Sequence, residues 1–423
     1  MNLMFSLCQS CNTQTLTILQ LFYLLIAIEK LIRSRTETFI THQVYDARWN
    51  YEQRLIVTCM LQNEGMEAIP SDLIVEILSR LPVRELGKLR CVCKQWYGLL
   101  VCNNEFTGEH MKHTKRKPLL LLRRYSSNFL VEVKTNKVSV ELTAIDLEGT
   151  VINNFRTVVN GPVHTFVSCA ALAILCCMRS LYVFNPSTGQ GLSIPRSSAA
   201  ASFYTIGFGY LPKSNEYKII HLFLVPSVGE GKMRSEILTL RDGEGVITDS
   251  WRSIGNCPQS VSASDCLCLN GIVFWEISRL CKGPQGKEIA SFDLYKEEFK
   301  VYSYPVCDST KYSMMGLTGF QGTLSVVGFA AETSTMDVWL MKDNNSGIWV
   351  KEYTVDLFCL GAESLIPSDY YSGDILISTK QKDLIQYSIR NQTSTKISYC
   401  RTIGTFRKPC LYYESLFSLH KIV

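Results

Sequence analysis

The sequence predicts an α + all-β protein: a small helical module followed by a β-propeller-like domain of six or seven blades. Three observations carry that expectation. Between residues 66 and 105, apolar side chains recur at steps of three and four. After Pro118 no long helical periodicity remains, and short runs rich in Val, Ile, Leu, Phe and Tyr alternate with turn clusters. Within that second region one strand-and-turn shape returns about every 48 residues. The expected division is an N-terminal extension over 1–65, a helical module over 66–105, a basic linker over 106–118 and a β domain over 119–415.

The N-terminal extension holds an apolar run, Leu16 to Ile28, broken by Thr17 and Gln20. It is shorter than the roughly 20 residues that span a bilayer. No Lys or Arg precedes it, as a secretory leader would require, and the basic residues Lys30, Arg33 and Arg35 follow it. Three readings stay open: a natural start at Met66, a buried or interfacial helix, and a membrane anchor that leaves the rest of the chain in the cytosol.

In the helical module, Pro70-Ser71-Asp72 opens a helix: Ser71 can cap, and Asp72 lies at the positive end of the dipole. Leu73, Ile77 and Leu81 follow at steps of four. Leu81-Pro82 ends that helix, because the residue before a proline avoids the α region. Leu86, Leu89, Cys93, Trp96 and Leu100 make the apolar stripe of a second helix, with Arg84, Lys88, Arg90 and Lys94 on its wet side. Two short helices bury little by themselves, and no metal or disulfide staple is visible. On pattern alone, docking to a partner and packing on the following domain are equally open.

The stretch IPSDLIVEILSRLPVRELGKLRCVCKQWYGLL closely resembles the F-box, on its opening Pro, EILSRLPV, RCVCKQWYGL and the spacing between them, over 69–103. The resemblance implies docking into a Skp-type adaptor and, through it, a cullin scaffold of a ubiquitin ligase. The adaptor-facing positions it implies are Pro70, Leu73, Ile77, Leu81, Pro82, Leu86, Val92 and Trp96. Gly87 departs from the family's larger residue and softens the second helix.

The linker HMKHTKRKP (110–118) reads as a solvated hinge, with nuclear import as a weaker reading. In the β domain, Asn270-Gly271 suits a type I′ turn between two apolar strands. The recurring shape is an alternating strand, a polar closing residue and a turn: Asp146, Asn185, Asp242, Asp293, Asp343 and Ser388 close it, at separations of 39, 57, 51, 50 and 45 residues. That period with β content fits four-stranded propeller blades. Neither a Gly-Gly doublet nor a Trp-Asp dipeptide marks a named repeat, so a pair of β-sandwiches is the competing fold. Whether the first and last segments share one blade stays open.

YTIGFGYLPKSNEYKIIHLF, LYVFNPSTG, CLCLNGIVFWEIS, IASFDLYKEEF and MDVWLMKD resemble, in order, the motifs of the plant F-box-associated domain over roughly 119–400. The resemblance implies a propeller-like domain that holds a target protein. Gly207 and Gly209 allow close backbone geometry, Phe208 and Tyr210 fill the core, and Pro212 to Asn215 turn the chain.

Composition sets the remaining limits. The chain has 423 residues, 46% hydrophobic and 19% charged, which describes a globular chain and not a disordered one. A net charge of +5 with no basic stripe points to no nucleic-acid partner. The 17 cysteines lack a paired rhythm, and Cys169, Cys176, Cys177, Cys266 and Cys268 lie in apolar settings. They read as reduced thiols of a cytoplasmic or nuclear protein. Cys8 and Cys11 have no second ligand pair, and His110 and His113 have no acidic or thiol companion, so no metal is expected. No cofactor is expected either.

No nucleophile elbow, HExxH pair or phosphate-cradling loop occurs, and the acids Asp265, Glu276, Asp293, Glu297 and Glu298 sit by turns or in charged runs. Catalysis by this chain is therefore not expected; the resemblances to the F-box and the F-box-associated domain imply a substrate-recognition subunit of a Skp–cullin–F-box ligase. The alternatives are a non-degradative adaptor-bound protein and a membrane-tethered propeller receptor. Target-reading loops are expected at 226–235, 281–288 and 343–348.

Overall fold

The computed structural model describes residues 71–90, 94–115, 117–124, 137–177, 180–195, 204–224, 233–242, 251–258, 261, 266–277, 288–307, 309–343, 347–357, 374–378, 384–397 and 409–419. The chain divides into two compact units, Met1–His110 and Met111–Val423.

The first unit holds α1 (Ser71–Leu78), α2 (Val83–Leu89), α3 (Lys94–Cys102) and most of α4 (Asn104–Thr114). Asp72 stands in the first turn of α1, as its charge requires. The helix stops ahead of Leu81-Pro82, and Pro82, with φ −58° and ψ 147°, becomes the N-cap of α2. Its carbonyl accepts the amides of Glu85 (3.0 Å) and Leu86 (3.1 Å). The wet side carries the pairs Arg80–Glu76 and Lys88–Glu85.

Two expectations are corrected here. The second helix is divided between α2 and α3, with 91–93 outside the described residues. The stretch expected as a solvated hinge is helical through Thr114, and both His110 and Met111 are buried. The hinge reading weighed only its Lys and Arg. His110 instead turns its ring inward, with Nε2 2.9 Å from the Leu81 carbonyl and Phe106 stacked on it.

The second unit is a ring of six antiparallel sheets. The first blade is β1 (Leu119–Arg124), β2 (Lys137–Ile145) and β3 (Val151–Asn160), with β23 (Cys410–Tyr412) on its inner edge. The second runs β4 (Val163–Cys169), β5 (Leu172–Cys177), β6 (Ser180–Phe184), β7 (Gly191–Pro195). The third runs β8 (Tyr204–Leu211), β9 (Glu216–Leu224), β10 (Met233–Arg241), β11 (Arg252–Cys257). The fourth runs β12 (Leu267–Leu269), β13 (Ile272–Glu276), β14 (Glu288–Asp293), β15 (Glu298–Ser303). The fifth runs β16 (Met314–Phe320), β17 (Thr323–Ala330), β18 (Thr335–Asp343), β19 (Ile348–Asp356). The sixth shows β20 (Asp374–Ser378), β21 (Leu384–Ser388) and β22 (Thr393–Ile397) among the described residues.

β23 pairs with β1 in the register Leu119↔Tyr412, Leu120↔Leu411 and Leu121↔Cys410, so the two ends of the domain share one blade and close the ring. The chain therefore has the propeller architecture and not the sandwich pair. Closure leaves no long sheet edge to manage inside the ring.

Strand alternation explains why these segments are so apolar. Along β5 every residue is buried. Leu172, Ile174 and Cys176 pack with the third blade, and Ala173, Leu175 and Cys177 pack with the first. The same split recurs in β1, where Leu119 and Leu121 face the second blade, while Leu120 and Leu122 face Leu376 and Leu384 of the sixth. A blade inside a ring has two buried faces, so its middle strands read as continuous apolar runs and not as alternation. Each of the six junctions between neighbouring blades has its own cluster.

The recurring polar residue lies at one place in every blade, the turn into the outermost strand. Asp146 Oδ1 accepts the Thr150 amide at 2.6 Å. Asn185 Oδ1 accepts that of Ser187 at 2.9 Å, and Asp293 Oδ1 those of Tyr295 and Lys296. These are side-chain turns of the Asx kind. Asn270-Gly271 has φ of 51° and 78°, the left-handed pair that a type I′ hairpin needs.

Candidate docking and target-binding surfaces

The eight adaptor-facing candidates separate by exposure. Ile77, Leu81, Leu86 and Trp96 are buried in the folded chain, while Leu73 and Pro82 stay partly exposed. Pro70 and Val92 lie outside the described residues. The expectation that this stripe waits uncovered is thus corrected for four of its members. Leu78, Val83, Leu89, Leu100 and Phe106 are buried as well. The sequence argument counted two helices, whereas α3 and α4 enlarge the unit that can bury them. Tyr97, not selected from the sequence, is the exposed large apolar side chain of α3, at 46%. Its position next to Trp96 was the only signal, and helical spacing puts neighbours on different faces.

In the propeller, antiparallel connectivity sorts the connections onto two ends. At one end lie the tight turns, such as 270–271, 321–322 and 294–297. At the other are the strand ends joined by the longer stretches 125–136, 225–232 and 278–287, which lie outside the described residues, and the connection 304–313, described apart from 308. Of the three loops expected to read a target, 226–235 and 281–288 lie outside the described residues except for 233–235 and 288, which open β10 and β14. The third, 343–348, belongs to the tight-turn end, where Gly347 N–H closes on the Asp343 carbonyl at 2.9 Å.

Polar chemistry pins the long-connection end. Asp337 of β18 is buried and accepts hydrogen bonds from Tyr312 (2.6 Å) and Thr354 (2.6 Å). Lys351 lies 2.9 Å and Lys311 3.4 Å from the same carboxylate. Burial alone would raise its pKa, but the bonds from Thr354, Tyr312 and Lys351 hold it at about 2. The connection 304–313 is fastened by this charge, and on it Val306 is fully exposed.

The tight-turn end is closed by the chain's own C-terminal segment. Asn185 Nδ2 donates to the carbonyls of Ser415 and Phe417, both at 2.9 Å. Asp242 Oδ1 accepts the Ser418 amide at 2.6 Å, and Phe417 meets Tyr217 edge-on at 4.9 Å. Met111 joins the same cluster as Phe417 and Leu419.

The acids considered for catalysis have structural partners. Glu276 accepts from Tyr304 at 2.5 Å. Glu297, expected on a solvated face, instead joins Lys218 (2.8 Å) and Arg252 (2.5 Å). Burial pushes its carboxyl upward, and the Lys218 and Arg252 bonds overcome this and hold it below the usual range. Asp265 lies outside the described residues. No disulfide joins the described cysteines. Among the described residues no helix is long and apolar enough to cross a membrane; the run 16–28 is not among them.

Comparison with known proteins agrees with both units. The F-box domain matches residues 66–103, and the F-box associated beta propeller domain matches residues 123–401. F-box protein At3g07870 of Arabidopsis thaliana is 27% identical over 326 residues, covering 70% of this chain and 74% of the relative. F-box protein At3g57590 of the same plant is 28% identical over 310 residues, covering 68% of this chain and 71% of the relative. The chain belongs to the F-box-associated β-propeller family, with an F-box domain ahead of the propeller.

Proposed function

We propose that this protein is the substrate-recognition subunit of a Skp–cullin–F-box type ubiquitin ligase. The observation that carries the reading is the pairing, on one chain, of an F-box with a closed six-bladed propeller. Leu73 and Pro82, with Pro70 and Val92, touch the adaptor. Ile77, Leu81, Leu86 and Trp96 act on docking by holding the shape of the module, since they are buried.

The long-connection end holds the target. The opposite end is already covered by residues 415–419. The chain itself breaks no bonds. It raises the effective concentration of target lysines near a ubiquitin-charged enzyme, toward roughly millimolar for a short connection.

Affinity capture of the tagged full chain under proteasome inhibition tests this. Adaptor and cullin should co-purify with the native chain and be lost with Leu73→Asp/Pro82→Ala. Targets should be captured by both baits but ubiquitinated only with the native one. Absence of adaptor and cullin from the native capture would overturn the reading.

A further inference from the structure

Residues 413–419 are held in the manner of a bound peptide. β23 ends at Tyr412, and the Tyr413 N–H meets the Ala170 carbonyl at 3.0 Å. Beyond it, side chains from the tight turns of the second and third blades take over the main chain. Ser187 Oγ accepts the Ser415 amide at 3.2 Å. Asn185 Nδ2 serves the carbonyls of Ser415 and Phe417, Asp242 Oδ1 takes the Ser418 amide, and Gln190 Oε1 takes the Leu419 amide at 3.1 Å. Phe417 and Leu419, two residues apart, are both buried in the cluster between these blades.

The propeller itself positions the groups that read the segment. Asn185 Oδ1 accepts the Ser187 amide at 2.9 Å, which fixes the orientation of its side-chain amide. Tyr217, which Phe417 meets edge-on, is fixed in turn by the Ala171 amide, 3.1 Å from its hydroxyl. Groups ordered in advance cost little to order on binding. All the bonds from these turns go to main-chain atoms, so they suit any chain laid along the same path. Selection falls to the apolar side chains at positions 417 and 419. Main-chain hydrogen bonds for affinity and pockets for alternate side chains make a recurring mode of peptide recognition.

We propose that the tight turns of the second and third blades form a peptide-binding site, filled in cis by residues 413–419. Its external ligand is a segment of a partner protein with an aromatic side chain and a leucine two residues on. The tail is a tethered competitor whose high effective concentration keeps the site filled. A partner segment then binds in proportion to the fraction of chains whose tail has left. This site is distinct from the long-connection end, and it does not rest on the ligase reading.

The probe is a synthetic, isotope-labelled peptide with the sequence of residues 413–420, YESLFSLH. The full chain carrying Phe417→Ala/Leu419→Ala should bind it at least about tenfold more tightly than the native chain, because its own tail competes less. A peptide with alanine in place of the phenylalanine should not bind. Adding Asn185→Ala to the chain should weaken binding by about tenfold. No binding to the tail variant, or binding indifferent to Asn185 and to the peptide's phenylalanine, overturns the proposal. Exchange of tails between native chains, seen as a dimer in sedimentation, would assign the site to a second copy and overturn it too. Should the tail variant fail to fold, the native chain decides: excess peptide should speed amide exchange at its own Ser418 and Leu419 and leave β1–β3 unchanged, and unaltered exchange overturns the proposal.

Discussion

Trp275 of the fourth blade donates its indole N–H to the Ile206 carbonyl of the third at 3.0 Å, and its ring occupies the space beside Gly207. A Cβ on Gly207 would stand 2.2 Å from Trp275 Cζ2. The IGFGYL run therefore works by alternation. Ile206, Phe208 and Tyr210 fill the junction with the second blade, while Gly207 and Gly209 vacate the junction with the fourth. Both glycines were selected from the sequence for close geometry, and the structure names what approaches.

Gly207→Ala should accordingly destabilise the propeller by roughly 2–3 kcal/mol through overpacking. Denaturant unfolding measures it. In a Trp275→Phe background the same substitution should cost less, with a coupling of about 1 kcal/mol or more, because the clashing ring atoms are gone. Additive costs would show that the tryptophan is not what Gly207 accommodates.

The C-terminal segment should be a stabilising clasp. Asn185→Ala removes the donor that serves the carbonyls of Ser415 and Phe417, in a buried setting. Losing two such bonds costs roughly 2–3 kcal/mol. Hydrogen exchange should accelerate at the Ser418 and Leu419 amides, which bond to Asp242 and Gln190. Unchanged exchange there would mean that residues 415–419 hold their place without Asn185.

What could be read in advance was local. The Asp, Asn or Ser that ends each blade's third strand is a property of a few consecutive residues, so its recurrences announced six or seven blades, and six sheets are present. Asn270-Gly271 declared its hairpin for the same reason. The pairing of Tyr412 with Leu119 had no such signal, because nothing in either strand encodes a partner at the far end of the domain. The burial of Ile77, Leu81, Leu86 and Trp96 was hidden too: a periodic stripe shows that a face is apolar, not what covers it.

Gly87 offers a gain instead of a loss. It lies inside α2, is exposed, and no atom would come within 4 Å of an added Cβ. Gly87→Ala should stabilise the helix by about 1 kcal/mol, by propensity alone. Amide exchange across Val83–Leu89 should slow by about fivefold in the full chain. No slowing would mean that α2 owes its stability to packing so fully that backbone freedom at this position is irrelevant.

Asp337 should make the propeller sensitive to acid. Its carboxyl titrates at about 2 in the folded chain, against the ordinary 3.8 it regains on unfolding. The folded value is the lower one, so the unfolded chain binds the proton more readily. The contribution is full above the unfolded value and is lost as pH falls from about 4 through 2. The difference corresponds to roughly 2 kcal/mol at neutral pH. Asp337→Asn cannot ionise, so it should lose about that amount at pH 7, and the gap to the native chain should narrow below about pH 4. Urea unfolding at a series of pH values measures both curves. A gap that stays constant down to pH 2.5 would show that the carboxylate's hydrogen bonds to Tyr312 and Thr354, and not its charge beside Lys351, fasten the 304–313 connection.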